Sequence, residues 1–163
     1  MEENKPLDYY ILRDGSISMY HKQTFLSQDI HELEKIGYRI VDFNTSKWTK
    51  KTVHRHLKEG LDFPDYYGEN LNAFDDCIWD LITSEKKGLV LVFRFFDEFV
   101  SLDKSYSEGL LDVLACQARS WLLHQKGLIC LLHSSDPNLF FHKLGGLSPQ
   151  WNRNEWVDID RKN

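Results

Sequence analysis

Several kinds of residue and pattern are scarce in this 163-residue sequence, and each scarcity excludes something. The three cysteines, Cys77, Cys116 and Cys130, are odd in number and widely spaced, and no two form a C-x-x-C pair. Neither a zinc site nor a redox couple is signalled. Each cysteine falls in an apolar stretch, where a free thiol behaves as a small hydrophobe. Without a disulfide framework, a reducing cytoplasm is the expected compartment. No apolar core follows a basic start at the amino terminus, as an export signal would require. The longest apolar runs, such as Leu89–Phe93, fall far short of the ~20 residues that cross a membrane. Repeats and low-complexity tracts are missing, and the four prolines are scattered. What remains is a single soluble domain spanning 1–163, with ordinary globular proportions of 42% hydrophobic and 28% charged residues.

Basic residues are missing from one place in particular. Between 60 and 85 every charged side chain is acidic: Asp62, Asp65, Glu69, Asp75, Asp76, Asp80 and Glu85. The net charge of the whole chain is only −5, so the remainder is slightly basic and the acidity is local. Nucleic-acid binding is disfavoured, because phosphates call for clustered Lys and Arg. A basic partner or a metal ion would suit such a patch. A merely solvated helix face is the plainer alternative.

The coarse pattern is that of an α/β domain. Tyr9–Leu12 and Ile17–Tyr20 flank Asp14-Gly15 and read as a β-hairpin. A short helix at 29–36 stops at Gly37, and a strand follows at 38–43. Thr45 or Ser46 is expected to cap a helix running to Lys58. Residues 63–68 cannot be regular, since Pro64 restricts its predecessor and Gly68 offers a turn that other residues resist. Asn70 is placed to cap a helix over 71–84. The runs 89–95 and 128–132 have the unbroken apolarity of strands covered on both faces, with a helix over 105–125 between them. Glu155–Ile159 is a candidate further strand. A small parallel sheet packed with helices follows from this order, with an N-terminal hairpin (1–36) and a C-terminal segment (134–163) as extensions.

On the 71–84 helix, 100° per residue puts Glu69, Asn72, Asp76 and Asp80 on one face and Leu71, Phe74, Ile78 and Leu81 on the opposite one. Asp76 and Asp80, four apart, oppose helix formation by roughly 0.2–0.5 kcal/mol. Folding alone gives no reason to place them there. Trp79 and Asp75 sit on the flank, and acid beside exposed aromatic is the residue mix of an interface. Tyr66 and Tyr67 in the preceding loop add rigid rings with polar tips, one of which is expected to pack beneath the loop.

The string Phe63-Pro64-Asp65-Tyr66-Tyr67-Gly68-Glu69-Asn70-Leu71-Asn72-Ala73-Phe74-Asp75-Asp76-Cys77 resembles the barstar family of intracellular ribonuclease inhibitors, whose segment has the form P-x-Y-Y-G-x-N-L-D-A-L-x-D-C. The match is ungapped over Pro64–Cys77, and the order of elements extends it to about 37–133. The resemblance implies an inhibitor rather than an enzyme, whose loop and helix plug the active site of a basic secreted ribonuclease or toxin. Carried over by position, Asp76 is the dominant acid, Tyr66 and Tyr67 are the loop tyrosines, Gly68 makes the turn and Asn70 is the motif's asparagine. The chain departs from the pattern at Asn72, where the family has an aspartate, and at Asp75, where it has an aromatic. Trp79 has no counterpart, and the later helix offers apolar Leu122 where barstar presents an acid. The partner-binding set is therefore Tyr66, Tyr67, Gly68, Asn70, Asn72, Asp75, Asp76, Trp79 and Asp80, with no cofactor, metal, membrane or direct nucleic-acid contact.

Two other functional readings use the same residues. Asp76 and Asp80 could share Mg²⁺ in a small hydrolase, or the surface could serve a regulatory module that binds without inhibiting. His54 and His56, two apart, point in directions about 160° apart on a helix and cannot share a metal. His133 ends a buried strand without a paired nucleophile, and Gly145-Gly146 lacks the rest of a phosphate loop. Trp121, Trp151 and Trp156 read as packing.

Overall fold

The two unbroken apolar runs become the middle of a parallel sheet. Residues 4–162 are described in the computed structural model of the chain. In chain order the elements are α1 (Leu7–Arg13), β1 (Ile17–Tyr20), α2 (Gln23–Ile36), β2 (Tyr38–Asn44), α3 (Val53–Leu61), α4 (Leu71–Trp79), β3 (Gly88–Arg94), α5 (Phe96–Leu102), α6 (Lys104–Leu122), β4 (Gly127–His133), β5 (Gln150–Trp151) and α7 (Asp158–Lys162). The sheet order is β2-β3-β4-β1-β5, and every pairing is parallel.

Alternation along the central strands divides the interior into two layers. Leu89, Leu91 and Phe93 of β3, with Leu128, Cys130 and Leu132 of β4, meet α3, α4, α5 and α6. Val90, Val92, Ile129 and Leu131 face the other way, onto Leu7 and Ile11 of α1 and Leu26 and Leu33 of α2. Helices on both faces explain why neither strand shows a polar side. β3 and β4 start as close neighbours: a Cβ on Gly88 would overlap the carbonyl of Gly127, so glycine is required there.

The extensions are built into this sheet, and they differ from the sequence expectation. Residues 9–20 form no hairpin. Leu7 and Ile11, four apart, turn one face of a helix into the second layer, and buried Asp8 accepts from the Tyr38 hydroxyl at 2.9 Å and pairs with Lys87 at 3.0 Å. Gly15 does turn the chain, at φ +107°, but it joins a helix to a strand that pairs with β4 and β5. At the other end, Glu155 is fully buried and its carboxylate accepts from the backbone N–H groups of His21 and Lys22, each at 3.0 Å, and from the Asn152 amide at 2.9 Å. Drawn inward this way, Glu155 lies in a turn and not in a strand over 155–159. The extra strand is Gln150–Trp151, and 158–162 is helical with Lys162 paired to Asp158.

Other boundaries shift for identifiable reasons. The helix expected from Thr45 or Ser46 starts only at Val53, because Thr45 donates its hydroxyl to the Arg94 carbonyl at 2.8 Å and buried Trp48 pins the segment among Phe43, Phe93 and Phe99. α2 begins at Gln23, ahead of the expected residue 29. The helix expected over 105–125 is preceded by α5, which Phe95 initiates at φ +60°, and α6 itself starts where Asp103 accepts from the Tyr106 N–H at 3.0 Å. Cys77 and Cys130 are buried as expected, whereas Cys116 is exposed on α6. No helix of the described residues is long and apolar enough to cross a membrane.

Glu155→Ala is expected to lower the unfolding free energy by about 1–3 kcal/mol in urea titration, because buried N–H donors lose their acceptor. An unchanged midpoint would show that the C-terminal segment is not part of the cooperative unit.

Candidate functional site

The loop before α4 is fixed from beneath. The Tyr67 N–H donates to the Pro64 carbonyl at 2.9 Å, and the Tyr67 ring packs on Phe63 with centroids 4.8 Å apart. Tyr67 is 5% exposed and Tyr66 is 82% exposed, so one tyrosine is under the loop and the other stands free above it. The left-handed residue of this bend is Glu69, at φ +50°, and not Gly68. Gly68 serves by its small size: a Cβ there would come within 3.3 Å of Ala73 Cβ.

Asn70 ends the loop and starts the helix with one side chain. Its Oδ1 accepts from the Ala73 N–H at 2.8 Å, which caps α4, while its Nδ2 donates to the Gly68 carbonyl at 3.0 Å. Its amide thus shapes the site, and the exposed side chain keeps one N–H and one lone pair beyond these two bonds.

A feature that the sequence did not reveal holds Tyr67 in place. His54, buried on α3, bonds through Nδ1 to the Tyr67 hydroxyl at 2.6 Å and through Nε2 to the Tyr106 hydroxyl of α6. The neutral ring donates at one nitrogen and accepts at the other, so both are satisfied by hydroxyls that can do either. Burial pushes the His54 pKa below its ordinary value, against an opposing pull from Glu69. His54 is therefore a satisfied histidine. No local pattern could have shown this, because Tyr106 is 52 residues away.

α4 turns Phe74, Cys77 and Ile78 into the core. After Trp79 the turns tighten, with the N–H groups of Asp80, Leu81 and Ile82 each bonding three residues back, so the regular helix is shorter than the 71–84 expected. The opposite face carries Glu69, Asn72, Asp76 and Asp80, all exposed, as the helical spacing required. Among the described residues no Lys or Arg lies within ion-pair distance of Asp76 or Asp80. Lys58, at 4.0 Å from Asp65, is the one cation paired into the acidic segment among those residues.

Two flanking residues have internal duties. Asp75 accepts from Gln117 Nε2 of α6 at 2.8 Å, so it ties α4 to α6. Trp79 is half-buried, with its ring edge-on to His124 at 4.9 Å. The exposed side chains with no internal hydrogen bond or ion pair among the described residues are thus Tyr66, Glu69, Asn72, Asp76 and Asp80, beside a partly covered Trp79 and the exposed Gly68 and Asn70. Among the described residues no three His, Cys, Asp or Glu side chains come together as a metal site.

A family model described as Barstar (barnase inhibitor) matches residues 38–133, more than half of the chain. This chain belongs to the barstar family. The matched stretch runs from the start of β2 to the end of β4, so the family core carries the loop and α4 but neither extension. A relative named "Putative ribonuclease inhibitor YrdF", from Bacillus subtilis (strain 168), is 36% identical over 64 residues, which cover 39% of this chain and 67% of the relative. A chain of the Drosophila ORC bound to AT-rich DNA and Cdc6 aligns with TM-score 0.49 and 17% identity over 78% of this chain, which spans 43% of that one. That likeness is too slight to bear on function.

The barstar-type loop should show the titration of its buried anchor. His54 binds a proton less readily in the folded chain than at its ordinary value of 6.5, so stability is complete above that value and falls as pH drops through it. Burial shifts His133 in the same direction. Urea unfolding between about pH 5 and 8 should therefore show a decline on the acid side, and His54→Gln should flatten part of it. An identical slope in the variant would contradict the assignment.

Proposed function

We propose that this barstar-family chain inhibits a basic ribonuclease, or a toxin of that kind, by seating the Tyr66 loop and the exposed face of α4 in its active site. Membership of a family of ribonuclease inhibitors supports inhibition in general. The observation that carries the specific reading is Asp76: it is exposed at the middle of α4, and no cation within the described residues neutralises it. Two like charges one turn apart weaken a helix, and a cationic cleft that normally grips RNA phosphate is the environment that would reverse that cost.

The roles follow from the contacts. Asp76 and Asp80 present the charge, Tyr66 offers an exposed ring, and Asn72 offers an uncharged hydrogen-bonding group. Tyr67, Gly68 and Asn70 hold the loop, and Asp75 holds α4 against α6. The mechanism is occlusion with imitation of phosphate charge, and opposite charges would speed encounter.

Asp76→Ala is expected to weaken binding by about 2–5 kcal/mol, the range for removing one partner of a buried charge pair. Titration calorimetry should be run first against barnase, the ribonuclease in the family's description, and then against the ribonuclease that co-purifies from the native cell. The association rate should fall as salt rises. A loss under about half a kcal/mol with a cognate partner would remove Asp76 from the role of anchor. Co-purification of a partner whose activity is unaffected would replace inhibition with simple binding.

A further inference from the structure

A second site lies away from α4. A cavity of about 370 Å³ opens between α1, β1, α2 and the segment 150–156. Its volume is within the roughly 300–1,000 Å³ of small-molecule sites. Leu7, Ile11 and Ile17 give it apolar walls, and Tyr10, Trp151 and Trp156 give it aromatic ones. An open, more polar hollow of about 500 Å³ shares Asn4, Leu7, Asp29 and Arg153 with it, so Asp29 and Arg153 stand where the two spaces meet.

Asp29 is the unusual member. It is 5% exposed, and the one side-chain hydrogen bond it makes among the described residues comes from the Tyr20 hydroxyl, at 2.6 Å to Oδ2. No Lys or Arg of those residues lies within ion-pair distance. A carboxylate can accept about four hydrogen bonds, so this buried group, which lines both spaces, has acceptor capacity left beyond the Tyr20 bond. Desolvation raises the pKa of Asp29, while the Tyr20 bond and the more distant Arg153 lower it. Arg13, which also lines the cavity, is paired with Asp14 and set over the Tyr10 ring and forms no ion pair with Asp29. Trp156, by contrast, is 58% exposed and stands at the cavity wall.

A flat ring with adjacent N–H donors would answer both needs, stacking on an indole while donating to the two carboxylate oxygens. Guanine has that pair of donors on one edge, and adenine does not. Arg153, which forms no ion pair among the described residues, is placed at the polar hollow to meet a phosphate. We propose that this cavity binds a guanine nucleotide, with the base against Trp156 and its N–H edge on Asp29, and the phosphate toward Arg153. The α1, α2 and C-terminal residues that form the site lie outside the stretch matched by the family model, so it is independent of the inhibitory reading.

Guanosine monophosphate, adenosine monophosphate and inosine monophosphate should each be titrated into the full chain by calorimetry. Saturable binding of the guanine nucleotide is expected, with the other two about tenfold weaker or worse because each lacks the paired donors. Asp29→Asn and Trp156→Ala should each weaken it by a similar factor. Trp156 is exposed, so its variant keeps the test decisive if the Asp29 variant fails to fold, and it should inhibit a ribonuclease as the wild type does. No heat with guanosine monophosphate at millimolar concentration would overturn the proposal. So would equal binding of adenosine monophosphate, or unchanged binding by Trp156→Ala.

Discussion

The bond between the Tyr67 hydroxyl and the buried ring of His54 is the constraint on which the candidate surface rests. His54 belongs to α3 and Tyr106 to α6, so one imidazole links two helices to the loop that lies over them. With Tyr67 held down, Tyr66 can only point outward, and Asn70 arrives where it caps α4. The direction in which α4 leaves the loop, and hence the face that shows Asp76 and Asp80, follows from that fixed start. Gln117 closes the far side by holding Asp75. Binding entropy is thereby lost in advance, because little of the surface would have to be ordered on contact.

This division of labour explains why so many polar residues stand together at one place. Asn70, Asp75, Tyr67 and His54 are committed to internal hydrogen bonds, each with a defined partner. Among the described residues the side chains of Asp76, Asp80 and Asn72 form none. Conserving the first group's geometry while leaving the second unpaired is costly for stability, and that is what a surface made for an oppositely charged visitor would show.

Where local chemistry decides structure, the sequence was sufficient. The apolar runs at 89–95 and 128–132 read as strands covered on both faces, Asn70 could be read as a cap, and the helical spacing separated Phe74 and Ile78 from Asp76 and Asp80. Where distant contacts decide, it was not. Asp14-Gly15 between two apolar stretches fits a hairpin equally well, and only the burial of Leu7, Asp8 and Ile11 beneath the sheet makes the first stretch a helix. Left-handed backbone at Glu69 and Phe95, residues without a preference for it, hid the true bend and the start of α5. The same held for the site: the exposed acids were legible from spacing, whereas the roles of His54, Tyr106 and Gln117 depend on partners tens of residues away. Gly68 was read as the residue that makes the turn, but the left-handed residue is Glu69, and Gly68 contributes only the room that a Cβ would narrow beside Ala73.

The account stands on α4 being the face that meets the partner. Hydrogen–deuterium exchange of the chain, alone and with barnase or any ribonuclease found to co-purify with it, measures this directly. Slower exchange confined to 66–80 and the adjoining end of α6 is the predicted result. Protection located instead on α1, α2 or the C-terminal segment, with 66–80 unchanged, would contradict it.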